Sequence, residues 1–291
     1  MLFAACPAFA GDESLSHYAA SYLLKPAGVR AMGMGDAYVA VSNDHEAPYY
    51  NPAGLGFLKF SGIGSMYSPQ SEDQKLWSMN YVQSLGSWGG VGAGLVMNEI
   101  SDIEGRLGEF DAPNRIDSHE GAATLSYGYA PAENWAVGGN LKYLFHSFSG
   151  LSDNGRGYGV DFGVRANVVS VPGLVVGASA QNVLGSFHWS TGRTDPLLSL
   201  FKSGAAYRVA PWLTAVGDVD IRGDQALRFH VGAEMLNSFA ACRLGVNHNH
   251  PTFGVGLTTP KAAIRVRFDY AFELDTSGLD NINRMGLSVR F

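Results

Sequence analysis

Cysteine, charge and long apolar runs are all scarce in this chain of 291 residues. Charged residues make up 16% of the sequence, against roughly a quarter in an ordinary soluble domain. The net charge of −6 lacks the basic footprint expected of a nucleic-acid-binding protein, so no nucleic-acid partner is expected. No stretch of about 18 apolar residues occurs, which excludes an ordinary transmembrane helix.

Glycine and aromatic residues are the abundant types. The chain has 37 glycines and 12% aromatic residues, whereas glycine averages about 7% of protein sequences. The aromatic content excludes a disordered chain, and the lack of a three-residue glycine period excludes a collagen-like chain. A soluble all-β protein and a membrane β-barrel are the classes that remain.

The first ten residues have the composition of the end of a secretory signal peptide. Ala8-Phe9-Ala10 forms an A-x-A cleavage pattern, which predicts that residues 1–10 are a signal peptide remnant. In the alternative, a lipoprotein signal with Cys6 as the lipid-bearing residue, Phe3 occupies the place of a small aliphatic residue. Cleavage after Ala10 leaves Cys242 as the single cysteine, so no intrachain disulfide is expected.

From Lys59 onward, apolar and polar residues alternate with period two, which is typical of β-strands with two different faces. Many of these segments exceed ten residues, whereas soluble strands mostly have about five or six and membrane strands need about 9–11. The pattern predicts about fourteen strands, near residues 60–68, 74–85, 90–100, 119–130, 134–148, 156–169, 173–183, 199–210, 212–222, 226–237, 239–248, 252–259, 262–275 and 282–291.

The connections between the predicted strands alternate in length. Short turns such as Pro131–Asn134 alternate with longer loops such as Ser101–Ser118 and Leu184–Leu198, as in outer-membrane barrels with periplasmic turns and extracellular loops. The alternative is a secreted β-sandwich whose apolar face is its core, but strand length and loop alternation favour the barrel. Six aromatic residues near strand ends fit girdles at the two membrane interfaces: Trp77, Trp88, Tyr127, Tyr129, Trp135 and Trp212.

Two stretches before the strands carry a family resemblance. Gly28–Val41 places three glycines among small residues, and Tyr49–Leu55 contains Asn51-Pro52-Ala53. Together they resemble the N-terminal signature of the PorV/PorQ family within the FadL-like superfamily of outer-membrane transport proteins. The Asn-Pro-Ala triplet is shared with the long-chain fatty-acid transporters of that superfamily. The motif covers roughly thirty residues, and the remaining chain agrees in architecture.

The resemblance implies an all-β fold: a transmembrane antiparallel β-barrel of about 14 strands over residues 60–291, with residues 11–59 folded inside as a hatch or plug. It also implies a bacterial outer-membrane location, with membrane lipid and the barrel assembly machinery as partners. Phe291 resembles the C-terminal assembly signal of outer-membrane barrels. The hatch residues that match the motif are Gly28, Arg30, Gly33, Gly35, Asp36, Asn51, Pro52, Ala53 and Gly54.

A barrel of this width holds an aqueous lumen that needs a plug if it is not to leak. We expect Arg30 and Asp36 to pair with wall charges such as Asp161, Asp218, Asp220, Arg265 or Arg284. The alternative to a plug is that the segment is only a periplasmic leader with a turn. The alternative role of the inward-facing charges is to solvate the lumen and to pair with each other across strands. The charges predicted to face the lumen are Lys142, Asp161, Arg165, Asp218, Asp220, Arg228, Glu234, Arg265, Arg267, Asp269, Arg284 and Arg290.

The sequence lacks a nucleophile elbow, a dinucleotide-binding motif and a P-loop, so we expect no enzyme and no cofactor. His248 and His250 form an incomplete ligand set, so no metal is expected. One hypothesis is a FadL-like barrel that transports hydrophobic, fatty-acid-like small molecules across the outer membrane. The alternative is a PorV-like, non-enzymatic interaction component of a type IX-like protein secretion system. The predicted loops are too short to form the lipid-binding groove of the fatty-acid transporters, so the sequence does not define the cargo.

Overall fold

The computed structural model describes residues 18–105, 114–149, 154–223, 227–260, 263–276 and 281–291. The predicted signal peptide remnant, residues 1–10, lies outside these ranges. The strands are β1 (Gly62–Pro69), β2 (Gln74–Ser84), β3 (Gly90–Gly105), β4 (Asn114–Ala132), β5 (Trp135–Phe148), β6 (Asn154–Asn167), β7 (Leu174–Trp189), β8 (Thr194–Pro196), β9 (Leu200–Ala210), β10 (Leu213–Arg222), β11 (Arg228–Leu236), β12 (Ala240–Asn247), β13 (His250–Thr258), β14 (Arg265–Glu273) and β15 (Ile282–Arg290).

The helices are short and lie mostly before the first strand. Among the described residues, two are α-helical, α1 (Val29–Gly33) and α2 (Ala47–Tyr50), and three are 3₁₀-helices, Ser21–Leu24, Pro52–Phe57 and Gly86–Trp88. None of the helices among the described residues is long and apolar enough to span a membrane.

Fourteen of the strands form a closed antiparallel barrel. Each strand pairs with its neighbours in sequence, except that β7 pairs with β9 across the three-residue strand β8, and β1 closes the ring by pairing with β15. Strand β8 pairs only with the end of β7 and lies outside the ring. Each of the fourteen predicted segments corresponds to one strand of the ring, which confirms the predicted barrel.

The barrel is apolar outside and polar inside. On β14, Phe268 is 46% exposed, whereas its neighbour Asp269 is 6% exposed. Because successive side chains of a strand point to opposite faces, the period-two pattern of the sequence becomes a lipid-facing and a lumen-facing set. The predicted girdle residues Trp88, Tyr127, Tyr129, Trp135 and Trp212 are all exposed. Trp77 is half-buried and donates its indole N–H to Glu99 at 2.8 Å.

The two ends of the barrel differ in their connections, but less than the sequence suggests. We call the end with connections such as 133–134 and 211–212 the short-turn end, and the end with 190–199 the long-loop end. The predicted loops Ser101–Ser118 and Leu184–Leu198 are wrong in extent, because β3, β4 and β7 continue into them. The antiparallel pairing of β3 with β4 continues into the first of these loops, for example between Glu104 and Arg115.

Candidate functional site

The N-terminal segment, residues 18–60, lies inside the barrel. Its 3₁₀-helix Pro52–Phe57 contacts β3 to β6, whereas α1 contacts β12 to β15 on the opposite side of the ring. At the long-loop end, the amide of Ala19 donates to the carbonyl of Pro196 at 3.2 Å. At the short-turn end, the amide of Ser61 donates to the carbonyl of the last residue at 3.1 Å. The segment therefore crosses the lumen from one end to the other.

Helix α1 is held at its N-terminus by a side chain from later in the segment. The Glu46 carboxyl accepts hydrogen bonds from the amides of Val29, Arg30 and Ala31 at 2.8, 3.0 and 3.2 Å. These amides are the ones that a helix leaves without an internal partner. Gly28 permits this approach, because a Cβ there would lie 2.6 Å from the Glu46 carboxyl carbon.

Arg30 joins the segment to the wall through a buried chain of alternating charges. Its Nε and Nη2 donate to the two carboxylate oxygens of Glu234 on β11, at 2.9 and 2.6 Å, and its Nη1 lies 2.9 Å from Asp44. Glu234 also accepts from Arg243 at 2.9 Å, and Arg243 pairs with Asp269 at 2.8 Å. Each buried charge thus has a partner, without which burial would cost several kcal/mol.

The predicted residues Gly35 and Asp36 form a tight turn against the wall. Both have left-handed backbone, with φ of 70° and 66°. A Cβ at Gly35 would lie 2.6 Å from the carbonyl oxygens of Val231 and Val246, so the close approach requires glycine. The Asp36 carboxylate pairs with Lys202 on β9 at 3.0 Å, and both side chains are buried.

Two predicted wall charges bind the backbone that follows this turn. The Asp218 carboxylate on β10 accepts from the amides of Tyr38 and Val39 at 2.6 and 2.8 Å. Arg165 on β6 donates from Nε to the carbonyl of Ala40 at 2.8 Å. These two side chains therefore bind backbone groups of the segment and not charged side chains.

The Asn-Pro-Ala triplet forms the junction with the opposite wall. The Asn51 amide donates to the carbonyls of Val39 and Val164 at 2.9 and 3.0 Å, and its oxygen accepts from the amide of Ala53 at 3.1 Å. Asn51 thereby caps the 3₁₀-helix that Pro52 begins. Asn51 of the triplet therefore stabilises the local fold of the segment and also binds strand β6.

Inward-facing glycines of the wall receive the backbone of the segment. At Gly138 on β5, an added Cβ would lie 2.5 Å from the amide nitrogen of Ala53, and at Gly254 it would lie 3.0 Å from the Cα of Gly33. Within the segment, a Cβ at Gly54 would overlap the backbone of Ser42. The wall glycines that contact the segment most closely are Gly64, Gly90, Gly92, Gly128, Gly138, Gly163, Gly177, Gly232, Gly245, Gly254 and Gly286.

The expected ion-pair partners of Arg30 and Asp36 are wrong. Neither Glu234 nor Lys202, the partners observed, is among the wall charges named for this pairing. Asp161 instead pairs with Lys142 on the neighbouring strand, at 2.8 Å. The partner of each charge depends on where the segment turns along the ring, which strand periodicity does not specify.

The remaining predicted lumen charges have other roles. Asp220 lies 3.2 Å from Arg222 and 3.3 Å from His230. Arg267 pairs with Asp269 at 2.8 Å. The Arg290 guanidinium lies 4.3 Å from the ring centroid of Phe60, and Arg228 is half-buried at the start of β11. Arg265 is a correction: as the first residue of β14, at the short-turn end, it is exposed and does not line the enclosed lumen.

Sequence reasoning missed several residues that bind the segment, among them Lys202, Asp44 and Glu46. Lys202 carried a usable signal, because it alternates with the outward-facing Phe201 and therefore belongs to the polar face of β9. No signal in the sequence pointed to Asp44 and Glu46, because their role depends on the fold of the segment around α1. Their contacts join residues 14 and 17 positions apart.

Two carboxyl groups of the segment, outside the membrane-spanning strands, have shifted pKa values. Burial, with the nearby charge of Asp44, raises the pKa of Glu46 to about 8, although the amides of Arg30 and Ala31 oppose this shift. Burial also acts to raise the pKa of Asp44, but the charges of Arg30 and His45 outweigh it and hold that pKa below its usual range. Asp44 is therefore the ionised partner of Arg30 within the segment.

The long-loop end of the lumen is lined by aromatic side chains. The rings of Phe148 and Trp189 lie 4.3 and 5.3 Å from that of His146, and Phe187 lies 5.0 Å from Trp189. We call these four residues the aromatic array. They continue into a buried apolar cluster between wall and segment, which includes Tyr22, Leu23, Leu76, Leu144 and Leu197.

Arg284 on β15 is buried near the same end of the lumen. It is 1% exposed, and its Nε and Nη1 atoms have no hydrogen-bond partner among the described residues. A buried guanidinium without a partner carries a large desolvation cost, which an anionic ligand would offset. Among the described residues, no group of three or more His, Cys, Asp and Glu side chains could hold a metal ion.

The fold is that of FadL-type channels. The Pseudomonas putida toluene transporter TodX is 12% identical, with a TM-score of 0.58 over 89% of this chain and 96% of its own. The CymD monoaromatic hydrocarbon channel is 13% identical, with a TM-score of 0.58 over 91% and 96%. A Pseudomonas aeruginosa FadL homologue is 9% identical, with a TM-score of 0.58 over 92% and 98%. At these identities the similarity shows the fold alone.

The sequence comparisons give the family. No curated protein matches the chain. The family of the type IX secretion system protein PorV matches residues 11–164, more than half of the chain and including both N-terminal motifs. The chain therefore belongs to the PorV family and is a β-barrel protein of the bacterial outer membrane, with the fold of FadL-type channels.

Proposed function

We propose that this barrel carries hydrophobic small molecules of a fatty-acid-like class across the outer membrane. The observation that carries the proposal is the aromatic array at the long-loop end and its continuation into the apolar cluster. Because outer-membrane barrels present their longer loops to the exterior, this end is the extracellular entrance. Aromatic and aliphatic side chains facing inward offer a hydrophobic solute a place to leave water.

The Arg284 guanidinium would bind a fatty acid through its carboxylate, whereas a hydrocarbon has no group that it could bind. Its unpartnered guanidinium nitrogens lie in the same half of the lumen as the aromatic array. A carboxylate bound there would gain charge-assisted hydrogen bonds, while its chain lies against the apolar cluster. The names of TodX and CymD state that they conduct hydrocarbons, and Arg284 is the feature that would extend this chain's cargo to acids.

The N-terminal segment acts in this proposal as the hatch of the channel. It crosses the lumen, binds opposite walls and includes every residue of the predicted hatch motif. Passage of a solute therefore requires part of the segment to leave its wall contacts. The proposed domain division is a hatch over residues 11–59, of which the structure describes 18–59, and a barrel over residues 60–291.

Replacing Arg284 tests the transport proposal. In liposomes containing the purified protein, Arg284→Gln is expected to reduce uptake of a labelled fatty acid about tenfold and to leave uptake of toluene unchanged, because only the acid uses the guanidinium. Arg156→Gln, at an exposed position on the outer face of β6, is the matched control. Absence of fatty-acid uptake by both the wild type and a variant lacking residues 32–55 would refute transport.

The second candidate is a non-enzymatic component of a type IX-like protein secretion system. The observation that favours it is the match of residues 11–164 to the PorV family. In this case the segment keeps the lumen closed, and the barrel binds secretion proteins through its surface. Stoichiometric co-purification of the tagged chain with an outer-membrane secretion channel, together with no solute uptake, would favour this candidate over transport.

A further inference from the structure

A pocket lies at the short-turn end of the lumen, between the N-terminal segment and strands β6, β7, β9, β10 and β11. We call it the mouth pocket. Its lining includes Arg30, Arg165, Arg208, Glu234 and Trp212, and its volume is about 180 Å³. Sites for drug-sized molecules occupy roughly 300–1,000 Å³. The mouth pocket therefore suits a small molecule or one end of a longer one.

The charge of the mouth pocket is positive. Three guanidinium groups face a single carboxylate, Glu234, and both oxygens of that carboxylate are engaged by Arg30 and Arg243. Arg30 is in turn neutralised by Glu234 and Asp44. Arg165 and Arg208 remain, and within the described part of the chain neither forms an ion pair.

Arg165 is held in a defined position beside the pocket. Its Nε donates to the carbonyl of Ala40 at 2.8 Å, and its guanidinium carbon lies 5.0 Å from the ring centroid of Phe57. The other guanidinium nitrogens have no hydrogen-bond partner among the residues that the structure describes. A guanidinium fixed in this way presents a preorganised pair of donors to a planar oxyanion. Arg208 is exposed and adds a second cation at the rim.

The rest of the lining is largely apolar. Val41 and Val175 line the pocket, and Trp212, which is 55% exposed, lies at the short turn between β9 and β10. Pro211 and Leu236 complete this side. An inorganic anion would leave these surfaces without contact, whereas an anion with an apolar body would cover them.

We propose that the mouth pocket binds a small carboxylate with an apolar body, which enters from the periplasm. Arg165 and Arg208 bind the carboxylate, and Trp212 and Val175 contact the body. The site is independent of the proposed transport, because it lies at the opposite end of the lumen from the aromatic array and Arg284. It gives this barrel a periplasmic ligand whether or not the channel conducts.

Isothermal titration of the purified protein in detergent with hexanoate, 1-hexanol and inorganic phosphate tests the proposal. We expect hexanoate to bind at least about tenfold more tightly than hexanol, because charge-assisted hydrogen bonds are lost with the carboxylate. Phosphate is expected to bind more weakly than hexanoate, because it lacks the apolar body. The same hexanoate binding is expected in Arg284→Gln, which separates this site from the entrance proposed for transport.

Two variants test whether hexanoate binds in the mouth pocket. Arg165→Gln and Arg208→Gln should each weaken hexanoate binding about tenfold, and Arg156→Gln on the outer face of the same strand β6 should not change it. Arg208 is exposed at the rim, so its replacement leaves the packing of the barrel intact. Undiminished binding in Arg208→Gln, loss of binding in Arg284→Gln, or no binding by the wild type would each overturn the proposal.

Discussion

Replacement of Arg30 by methionine is expected to release the N-terminal segment from the wall. The change leaves the carboxylates of Glu234 and Asp44, which lie 2.6 and 2.9 Å from Arg30, without their shared buried partner. Breaking a buried ion pair by removing one partner costs about 3–5 kcal/mol. We therefore expect higher conductance in planar lipid bilayers and faster proteolysis within residues 28–55 than in the wild type.

Two further variants separate charge from geometry at this position. Arg30→Lys keeps the charge but cannot make the two-point contact with Glu234, so an intermediate conductance is expected. Arg156→Met removes an exposed arginine from the outer face of β6 and should behave as the wild type. Wild-type conductance and protease resistance in Arg30→Met would contradict the assigned role of the buried charges.

Two adjacent glycines of β5 provide the second test. Gly138 faces the lumen, and an added Cβ would lie 2.5 Å from the amide nitrogen of Ala53 and 2.6 Å from the carbonyl oxygen of Pro52. At Gly139, on the other face, the nearest atom would lie at an ordinary contact distance of 3.4 Å. Gly138→Ala is expected to destabilise the seated segment by about 1–3 kcal/mol through overpacking.

Gly139→Ala is the matched control, with the same chemical change one residue away. It should leave stability unchanged or raise it slightly, because the unfolded chain loses flexibility. Thermal unfolding followed by heat-dependent gel migration, together with proteolysis of the segment, measures both variants. Equal behaviour of the two would show that the wall glycines do not seat the segment.

The strands could be predicted from sequence because their constraint is local. On β14, Phe268 faces the lipid and Asp269 faces the lumen. Each of the fourteen predicted segments corresponds to a strand of the ring. The extent of the loops could not be predicted. Strands β3, β4 and β7 continue into the predicted loops because each has a paired neighbour there, and the pattern of a single segment does not reveal its pairing.

The candidate site was predicted in part. Arg30, Asp36 and Asn51 stood out through the N-terminal motifs, and the structure gives each of them contacts with the wall. Their partners could not be identified. Glu234 lies 204 residues after Arg30, and Lys202 lies 166 residues after Asp36. At such separations any inward-facing charge of the right sign satisfies the sequence equally well.

Composition by itself left a soluble all-β protein or a membrane barrel, and the length and period-two alternation of the predicted strands indicated a barrel with a polar interior. Those properties follow from the two solvents that each strand meets, lipid on one face and the lumen on the other. Only the tertiary structure decided which wall charge meets Arg30, which glycine receives Ala53, and that Arg165 and Arg208 share a pocket. Ring closure and the path of the segment bring these residues together, and both are properties of the whole chain rather than of any strand.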